Sequence, residues 1–293
     1  MKRKISVSGL TFDIFNTLLM IVIFVVMLYP FVYVLNYSLS DHTRIGTSLL
    51  LLPIGFNLNS YTTMFRDPAI FQALIISVSR SILGPAVMLV VCGMAGYVLS
   101  KENLVFGRFF RWIVFFTMYF SAGLIPIYLT YQNLGLTNNY LVYILPFAVS
   151  AFNIVLIRTF IQSLPSGLEE AALIDGANEF QCFWRVIFPI CLPVNAAVVL
   201  FSAITHWNDF ITTQIYNIMD RSLWTIQFVL HNTLAVQLSQ TMEEAIQAAD
   251  AAAVSGQTLR MAMTVITVIP IVCLYPVLQK YFVSGIMVGS IKA

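Results

Sequence analysis

Residues 18–35 read LLMIVIFVVMLYPFVYVL, a run of 18 positions without a charged side chain. Thirteen of them are Leu, Ile, Val or Phe, each of which favours membrane insertion by about 0.3–0.6 kcal/mol. A helix of about 20 residues crosses the hydrocarbon core of a bilayer. Residues 2–4 are basic, as before a signal peptide, but the run is longer than a signal's apolar core and lacks a cleavage site. We therefore predict an uncleaved first transmembrane helix.

The composition of the whole chain agrees with a membrane protein. Of 293 residues, 59% are hydrophobic and 10% are charged, against about 25% charged in soluble domains. The net charge of +2 is thinly spread, so we expect no nucleic-acid partner. The four cysteines lack metal-ligand spacing, so we interpret them as small core residues. The three histidines lie far apart, so we interpret them as structural or solvated and predict no metal site.

Further apolar segments predict five more spans, and the chain is expected to be an all-α, polytopic membrane protein with six transmembrane helices. These segments are Ile70–Leu99, Trp112–Tyr131, Tyr140–Phe160, Ile187–Trp207 and Met261–Phe282. Ten Lys and Arg residues fall on the side of the N-terminus. Five are assigned to the opposite side: Arg44, Arg66, Arg80, Arg221 and Arg260. By the positive-inside rule, both termini are predicted to be cytoplasmic.

This pattern suggests a division of the chain into three parts. Residues 1–69 hold the N-terminal tail, the first helix and an extracytoplasmic loop, residues 70–283 form the core with helices 2–6, and residues 284–293 form a cytoplasmic tail. Two loops, 36–67 and 209–260, are placed outside, and loop 161–186 inside. In the second outer loop, Thr241–Glu244 has the pattern of a capping box and predicts a solvated lid helix.

Motifs for several kinds of chemistry are missing from the sequence. There is no G-x-x-x-x-G-K-[ST] loop for nucleotide phosphates, no G-x-S-x-G elbow and no H-E-x-x-H helix. We therefore expect a non-catalytic chain that binds no cofactor itself. Ionisable residues are scarce inside the predicted spans, which argues against a proton- or ion-coupled carrier. A self-contained secondary transporter or channel and a membrane enzyme are the alternatives from other classes.

The inner loop contains residues 164–177, LPSGLEEAALIDGA. Ser166 and Glu169 have the spacing of a capping box, and Gly176 is suited to end a helix. This pattern predicts a short helix in which Leu168, Ala171, Ala172 and Asp175 share one face, low enough for close approach by another protein. An apolar stripe is expected to hold the loop against the membrane body: Phe180, Phe183, Trp184 and Ile187.

The same loop carries a longer pattern. Glu170-Ala171-Ala172, three residues, Gly176, nine residues and then Val186-Ile187-Phe188-Pro189 resemble the EAA loop of bacterial ABC importer membrane subunits. Other segments resemble the MalG-type permeases of carbohydrate importers, and most of all the branch with polysaccharide, aldouronate and alginate importer subunits. They are FDIFN at 12–16, YPF at 29–31, SAGLIP at 121–126, LP at 145–146, Asn153, RTF at 158–160, HWN at 206–208 and GIMVG at 285–289.

The resemblance implies a type I ABC importer transmembrane domain in the bacterial cytoplasmic (inner) membrane. It implies four kinds of partner: a second homologous permease, two cytoplasmic ATPase subunits that hold ATP and Mg²⁺, an extracytoplasmic solute-binding protein and a carbohydrate substrate. The short helix is then a coupling helix that docks on an ATPase subunit. The implied coupling residues are Glu169, Glu170, Ala171, Ala172, Asp175 and Gly176.

Sugars are bound through hydroxyls, amides and aromatic faces, and several such residues lie in the predicted spans. The candidates for a substrate path are Tyr119, Ser121, Asn153, Asn195, Ser202, Thr205, Trp207, Asn208 and Asp209. Bridging between helices is the competing role for each of them. The sequence thus predicts import of an oligo- or polysaccharide, with uronates suggested by the branch alone. An ABC importer of a non-sugar solute is the alternative within transport.

Overall fold

The computed structural model describes residues 7–41, 43–45, 50–165, 167–239 and 256–289. All regular structure in these residues is helical, which confirms the all-α prediction. The α-helices are α1 Val7–Ser38, α2 Asn59–Arg66, α3 Pro68–Ser100, α4 Gly107–Tyr119, α5 Leu124–Asn133, α6 Ala151–Gln162, α7 Gly167–Ile174, α8 Glu179–Cys182, α9 Phe188–Ile190, α10 Leu192–Asn208, α11 Ile211–Tyr216, α12 Ile226–Ser239 and α13 Gly256–Gly289. Short 3₁₀ turns cover Tyr140–Tyr143, Leu145–Phe147 and Arg221–Leu223, and a π-helical turn covers Phe183–Ile187.

Three helices in the described part of the chain are long and apolar enough to cross a membrane alone: α1, α3 and the Gly256–Leu274 part of α13. Three pairs of consecutive helical segments reach that length only together. The α4–α5 pair is bent by 115°, the pair that ends in α6 by 44°, and the pair that ends in α10 by 80°. If each pair is one span, the total is the predicted six. The predicted continuous helices are therefore broken, which membrane proteins tolerate where neighbouring helices satisfy the freed backbone groups.

The chain divides into two compact units. The first comprises Met1–Asp67 and Thr233–Val268, and the second comprises Pro68–Asn232 and Ile269–Ala293. In the first unit, α1 exposes every residue from Thr11 to Leu28, as expected for a helix that faces lipid. Its C-terminal end is tied to the loop that follows, because Asn36 Nδ2 donates to the Leu50 carbonyl at 3.3 Å and Ser38 Oγ lies 2.7 Å from the Tyr61 hydroxyl.

The core of the second unit is built where α3 packs against α6 and α10. Met88 and Cys92 of α3, Ile157 of α6 and Val198 of α10 are all buried there, together with Phe183 of the π-helical turn. Apolar side chains therefore join the segment around the π turn to the same core as the long helices. This packing positions the two groups of residues described next.

Candidate functional site

Helix α7 and the turns around it lie in the EAA loop, defined here as residues 164–189. The end of α7 is fixed by its backbone. Gly176 has a φ of +85°, its N–H donates to the Leu173 carbonyl at 3.1 Å, and the Ala177 N–H donates to the Ala172 carbonyl at 3.0 Å. These two bonds form a Schellman motif. The predicted helix stop at Gly176 is thus confirmed, whereas Ser166 of the predicted capping box lies outside the described residues.

A capping box starts the next helix, α8. Asn178 Oδ1 accepts from the Gln181 N–H at 2.8 Å, and Gln181 Oε1 accepts from the Asn178 N–H at 3.0 Å. The N-x-x-Q spacing was readable in the sequence but is not among the predicted caps. With the Schellman motif, it leaves only three residues, 175–177, between α7 and the cap of α8. The two helices are therefore joined by a short connection with defined hydrogen bonds at both ends.

The end of α3 holds both helices of the EAA loop. The Lys101 ammonium forms ion pairs with Glu169 on α7 and with Glu179 on α8, the latter at 2.9 Å. The Tyr97 hydroxyl donates to Glu179 Oε2 at 2.7 Å, and the Tyr97 ring lies 5.3 Å from that of Phe183. One lysine and one tyrosine thus join the loop to the membrane body, an arrangement we call the Lys101 brace.

The coupling residues implied by the resemblance divide between two faces of the loop. Glu169 and Ala172 face the body, because Glu169 pairs with Lys101 and Ala172 packs against the core cluster. The exposed positions are Glu170, Ala171, Asp175 and Gly176. Three large apolar side chains of α7 also point outward: Leu168 is 37% exposed, Leu173 is 40% exposed and Ile174 is 86% exposed. The predicted shared face therefore differs from the exposed one, since Ala172 is turned inward.

The apolar stripe after α7 holds the loop through three of its four predicted members. Phe183 and Ile187 are buried, and Trp184 is half-buried against the core cluster. Phe180 is 64% exposed and joins the stripe only through Trp184, whose ring centre lies 6.2 Å from its own. The π-helical turn from Phe183 to Ile187 rotates the following residues relative to a regular α-helix, so the 3.6-residue period assumed in the prediction does not hold across it.

A second group of polar residues lies inside the unit. Arg80, in the middle of α3, is fully buried and its Nη2 lies 2.7 Å from Asp209 Oδ2 at the end of α10. Its guanidinium also sits 4.6 Å from the ring centre of Tyr143. The sequence analysis counted Arg80 among the charges on the outer side, whereas the structure places it within α3 and pairs it with a carboxylate. Such a buried charge is costly in a membrane helix unless a partner neutralises it, and here Asp209 does so.

His206 lies next to this pair on α10 and is 2% exposed. Its Nδ1 is 2.8 Å from the Ser202 carbonyl oxygen, and its ring is 5.0 Å from that of Phe147. The ring fits against α3 only because residue 84 is glycine: a Cβ there would lie 2.3 Å from His206 Nε2. These contacts support the structural role predicted for this histidine. The Arg80–Asp209 pair and His206 are together called the buried polar centre.

Residues 92–288 match the family described as the inner membrane component of binding-protein-dependent transport systems. This stretch includes the Lys101 brace, the EAA loop and α10. The chain belongs to this family. It is thus a transport permease that sits in the membrane and works with other components of an ABC system, as the resemblance in the sequence predicted.

Named relatives cover nearly the whole permease. It is 34% identical over 280 residues to the polygalacturonan/rhamnogalacturonan transport system permease protein YtcP of Bacillus subtilis, covering 95% of this chain and 96% of that one. It is 34% identical over 287 residues to Protein LplC of the same organism, with 97% and 96% covered. Among solved structures, it resembles a chain of a bacterial ABC transporter involved in the import of the acidic polysaccharide alginate. The TM-score is 0.85 at 32% identity, over 94% of this chain and 98% of that one.

The predicted substrate-path residues of the permease lie on or next to α4, α6 and α10. The structure brings Ser202 and Asp209 together around the buried polar centre. Tyr119 stands 74% exposed at the end of α4, and Thr205 is exposed and donates to the carbonyl of Phe201 in its own helix at 2.9 Å. Their role in substrate contact stays a prediction.

The remaining path candidates make contacts within and between elements. Asn195 is buried and donates to the Phe188 carbonyl at 3.2 Å, and Asn153 Nδ2 lies 3.4 Å from Met88 Sδ on α3. Trp207 is buried, Ser121 is exposed, and Asn208 accepts a hydrogen bond from Gln227 at 3.3 Å. Asn195 and Asn208 therefore bridge parts of the helical framework in this structure, which is the competing role named for such residues.

Sequence reasoning missed Lys101, Tyr97 and Arg80 as parts of these sites. Lys101 pairs with Glu179 78 positions away, and Arg80 pairs with Asp209 129 positions away. No local pattern indicates which carboxylate each cation meets. The one signal available in the sequence was Arg80 itself. An arginine within an apolar run of a membrane protein indicates a functional site by default, because a charge there is costly.

Proposed function

We propose that this permease forms part of the path by which an ABC importer takes an oligo- or polysaccharide into the cytoplasm, with uronate-containing chains as first candidates. Its relatives support this choice, since one is a polygalacturonan/rhamnogalacturonan permease and the similar solved transporter is involved in alginate import. Polygalacturonan and alginate are both acidic polysaccharides, so a charged sugar polymer is the substrate class these relatives share.

The proposal includes a set of partners. A second homologous permease completes the membrane pathway, two cytoplasmic ATPase subunits bind ATP and Mg²⁺, and an extracytoplasmic solute-binding protein delivers the sugar. We also propose that both termini lie in the cytoplasm, because of the distribution of Lys and Arg. The sequence supplies no phosphate-binding loop of its own, so the energy is proposed to come from the ATPase subunits.

One observation carries the proposed mechanism. Helix α7 exposes Glu170, Leu173 and Ile174, while Glu169 of the same helix is held by the Lys101 brace. We assign α7 as the coupling helix. An ATPase subunit would contact the exposed face, and movement of that subunit on binding ATP would be passed through Lys101 and Tyr97 to α3. A rigid connection suits such a rigid-body motion: the Schellman motif ends α7, the capping box starts α8, and Lys101 joins both helices to the end of α3.

The sugar can be tested on the solute-binding protein that functions with this permease. We expect its melting temperature to rise with oligogalacturonate or oligoalginate and to stay unchanged with neutral oligosaccharides of equal length, because ligands that bind the native state stabilise it. Stabilisation by neutral sugars alone would reject uronates, and stabilisation by amino acids or phosphate alone would reject sugar import.

The coupling role can be tested in the purified complex with Glu170→Gln. Glu170 is exposed on α7, so we expect the variant to assemble but to show at least a severalfold smaller increase in ATP hydrolysis when loaded binding protein is added. Glu102→Gln is the matched control, because Glu102 is also exposed but precedes α4 rather than lying on α7. Equal stimulation in wild type and Glu170→Gln would contradict the proposed coupling contact.

A further inference from the structure

Three arginines and two aromatic rings line a cavity of about 240 Å³ in the second unit. Arg108, Arg111, Trp112 and Phe115 come from α4, and Arg158 comes from α6. The α4 residues are spaced i, i+3, i+4 and i+7, which places them on one face of that helix. The rings of Trp112 and Phe115 stand edge to face with their centres 5.9 Å apart. The cavity therefore combines concentrated positive charge with an aromatic wall.

The positive charge of this cavity has no counter-charge in the described part of the chain, where none of the three arginines forms an ion pair with a carboxylate. Arg158 Nε donates to the Leu99 carbonyl at 3.1 Å, and Arg111 Nη1 lies 3.5 Å from the same oxygen. These bonds orient both side chains at the end of α3. A guanidinium carries five N–H donors, so most donors of each group remain available to an anion.

The neighbouring surface of α4 is apolar. Phe106, Phe109 and Phe110 line a second cavity of about 440 Å³ at the start of the helix, and each ring is exposed. Trp112 is 64% exposed beside the arginines. Aromatic rings are enriched at the boundary between hydrocarbon and headgroups, and basic pockets between membrane helices bind phosphate-bearing headgroups. A soluble anion would use the arginines but not the exposed phenylalanines.

We propose that the pocket formed by Arg108, Arg111, Trp112, Phe115 and Arg158 binds the phosphate of an anionic phospholipid, whose acyl chains cover the three phenylalanines. Arg111 and Arg158 are held in place by the backbone of α3, and Arg108 supplies the third charge from the first turn of α4. The bound lipid would neutralise a cluster of like charges and link α4 to α6. This site is separate from the coupling and sugar-binding roles proposed above.

Native mass spectrometry of the full-length chain in detergent tests the site. We expect the wild type to retain phosphatidylglycerol in preference to phosphatidylcholine, and Arg108→Gln to lower phosphatidylglycerol retention about fivefold, because one basic residue near an anionic headgroup contributes about that factor. Arg108→Lys should keep most of the binding and shows that the fold is retained. Arg66→Gln removes one exposed arginine from α2 and is the control for a general loss of charge.

Two results would overturn the proposal. One is an equal loss of phosphatidylglycerol in Arg108→Gln and Arg66→Gln, which would mean attraction to net charge rather than to this pocket. The other is full displacement of the lipid by millimolar inorganic phosphate, which would assign the arginines to a soluble anion. Persistence of the bound lipid in that competition, together with loss only in Arg108→Gln, would support a lipid site.

Discussion

At the scale of single residues, Gly84 and His206 determine how closely α3 and α10 can pack. The imidazole occupies the space in which any other residue at position 84 would place its Cβ, and the ring is held by the Ser202 carbonyl and by Phe147. A ring fixed on two sides cannot move away at low cost. The contact therefore makes position 84 sensitive to the addition of a single methyl group.

We predict that Gly84→Ala destabilises the protein by about 1–3 kcal/mol, the usual cost of overpacking a close contact. Thermal unfolding in detergent measures the effect. In a His206→Ala background the same substitution should cost almost nothing, because the opposing ring is gone. Gly167→Ala is the control, since a Cβ at that position meets no atom within 4 Å. Equal costs of Gly84→Ala in both backgrounds would contradict the packing described.

The ion pair of Arg80 and Asp209 gives a second prediction at this scale. Either Arg80→Met or Asp209→Asn should lower the free energy of unfolding by about 3–5 kcal/mol, because each leaves its partner charged without compensation. The double variant should recover a large part of that loss. Thermal unfolding of the three variants completes the cycle. If Asp209→Asn abolished transport at unchanged stability, a direct role in substrate contact would be indicated instead.

At the scale of elements, the EAA loop is a helix, a glycine turn and a second capped helix, held together by the Lys101 brace. The turn depends on the positive φ of Gly176, a conformation that costs other L-residues about 1–2 kcal/mol and in which Asn is tolerated best. Nothing lies within 4 Å of a Cβ at Gly176, so backbone strain is the only local effect of a substitution there. This allows a substitution that tests the geometry of the turn.

We predict that Gly176→Val leaves membrane insertion intact but weakens ATPase docking and transport, whereas Gly176→Asn retains most of both. Valine is β-branched and fits the left-handed region poorly, so the end of α7 and its approach to α8 should shift. Co-purification of the ATPase subunits and uptake by vesicles are the two measurements. Normal uptake by Gly176→Val would show that coupling to the ATPase does not depend on the left-handed conformation at the end of α7.

The broken helical pairs are the other feature at this scale. Between α4 and α5 the chain turns by 115°, and before α10 it turns by 80°, within breaks of a few residues. Phe120 leaves α4 in an extended conformation, and Pro189 and Pro193 flank the break before α10. Proline removes a backbone donor and crowds the preceding turn, so it favours a break there. Across the first bend, α4 packs near α3 and α6, whereas Tyr131 of α5 contacts Tyr216 of α11.

At the scale of the whole molecule, the family assignment predicts a division of labour between chains. We expect this permease reconstituted alone in vesicles to give no uptake of oligouronate, with or without ATP. Uptake should begin only when the second permease, the ATPase subunits and the loaded binding protein are added. Accumulation of sugar by the single chain would favour the self-contained transporter or channel considered from the sequence.

The sequence alone was enough for the properties that depend on neighbouring residues. Apolar runs identified the membrane segments, because insertion depends on the summed hydrophobicity of about 20 consecutive positions. Gly176 marked the end of α7, since the left-handed turn is a local requirement. The spacing around Glu170 indicated the family, which the match over residues 92–288 confirms.

Other properties were decided only by the tertiary structure. The bends within three predicted spans, the inward turn of Ala172 and the partners of Lys101 and Arg80 all depend on which segments pack together. Asp209 cancels the charge of an arginine 129 positions away, and hydropathy sums contain no information about such a pair. Hydrophobicity and helix caps depend on residues that are neighbours in the sequence, whereas these ion pairs and close contacts join residues that are far apart in the sequence. Only folding brings such residues together.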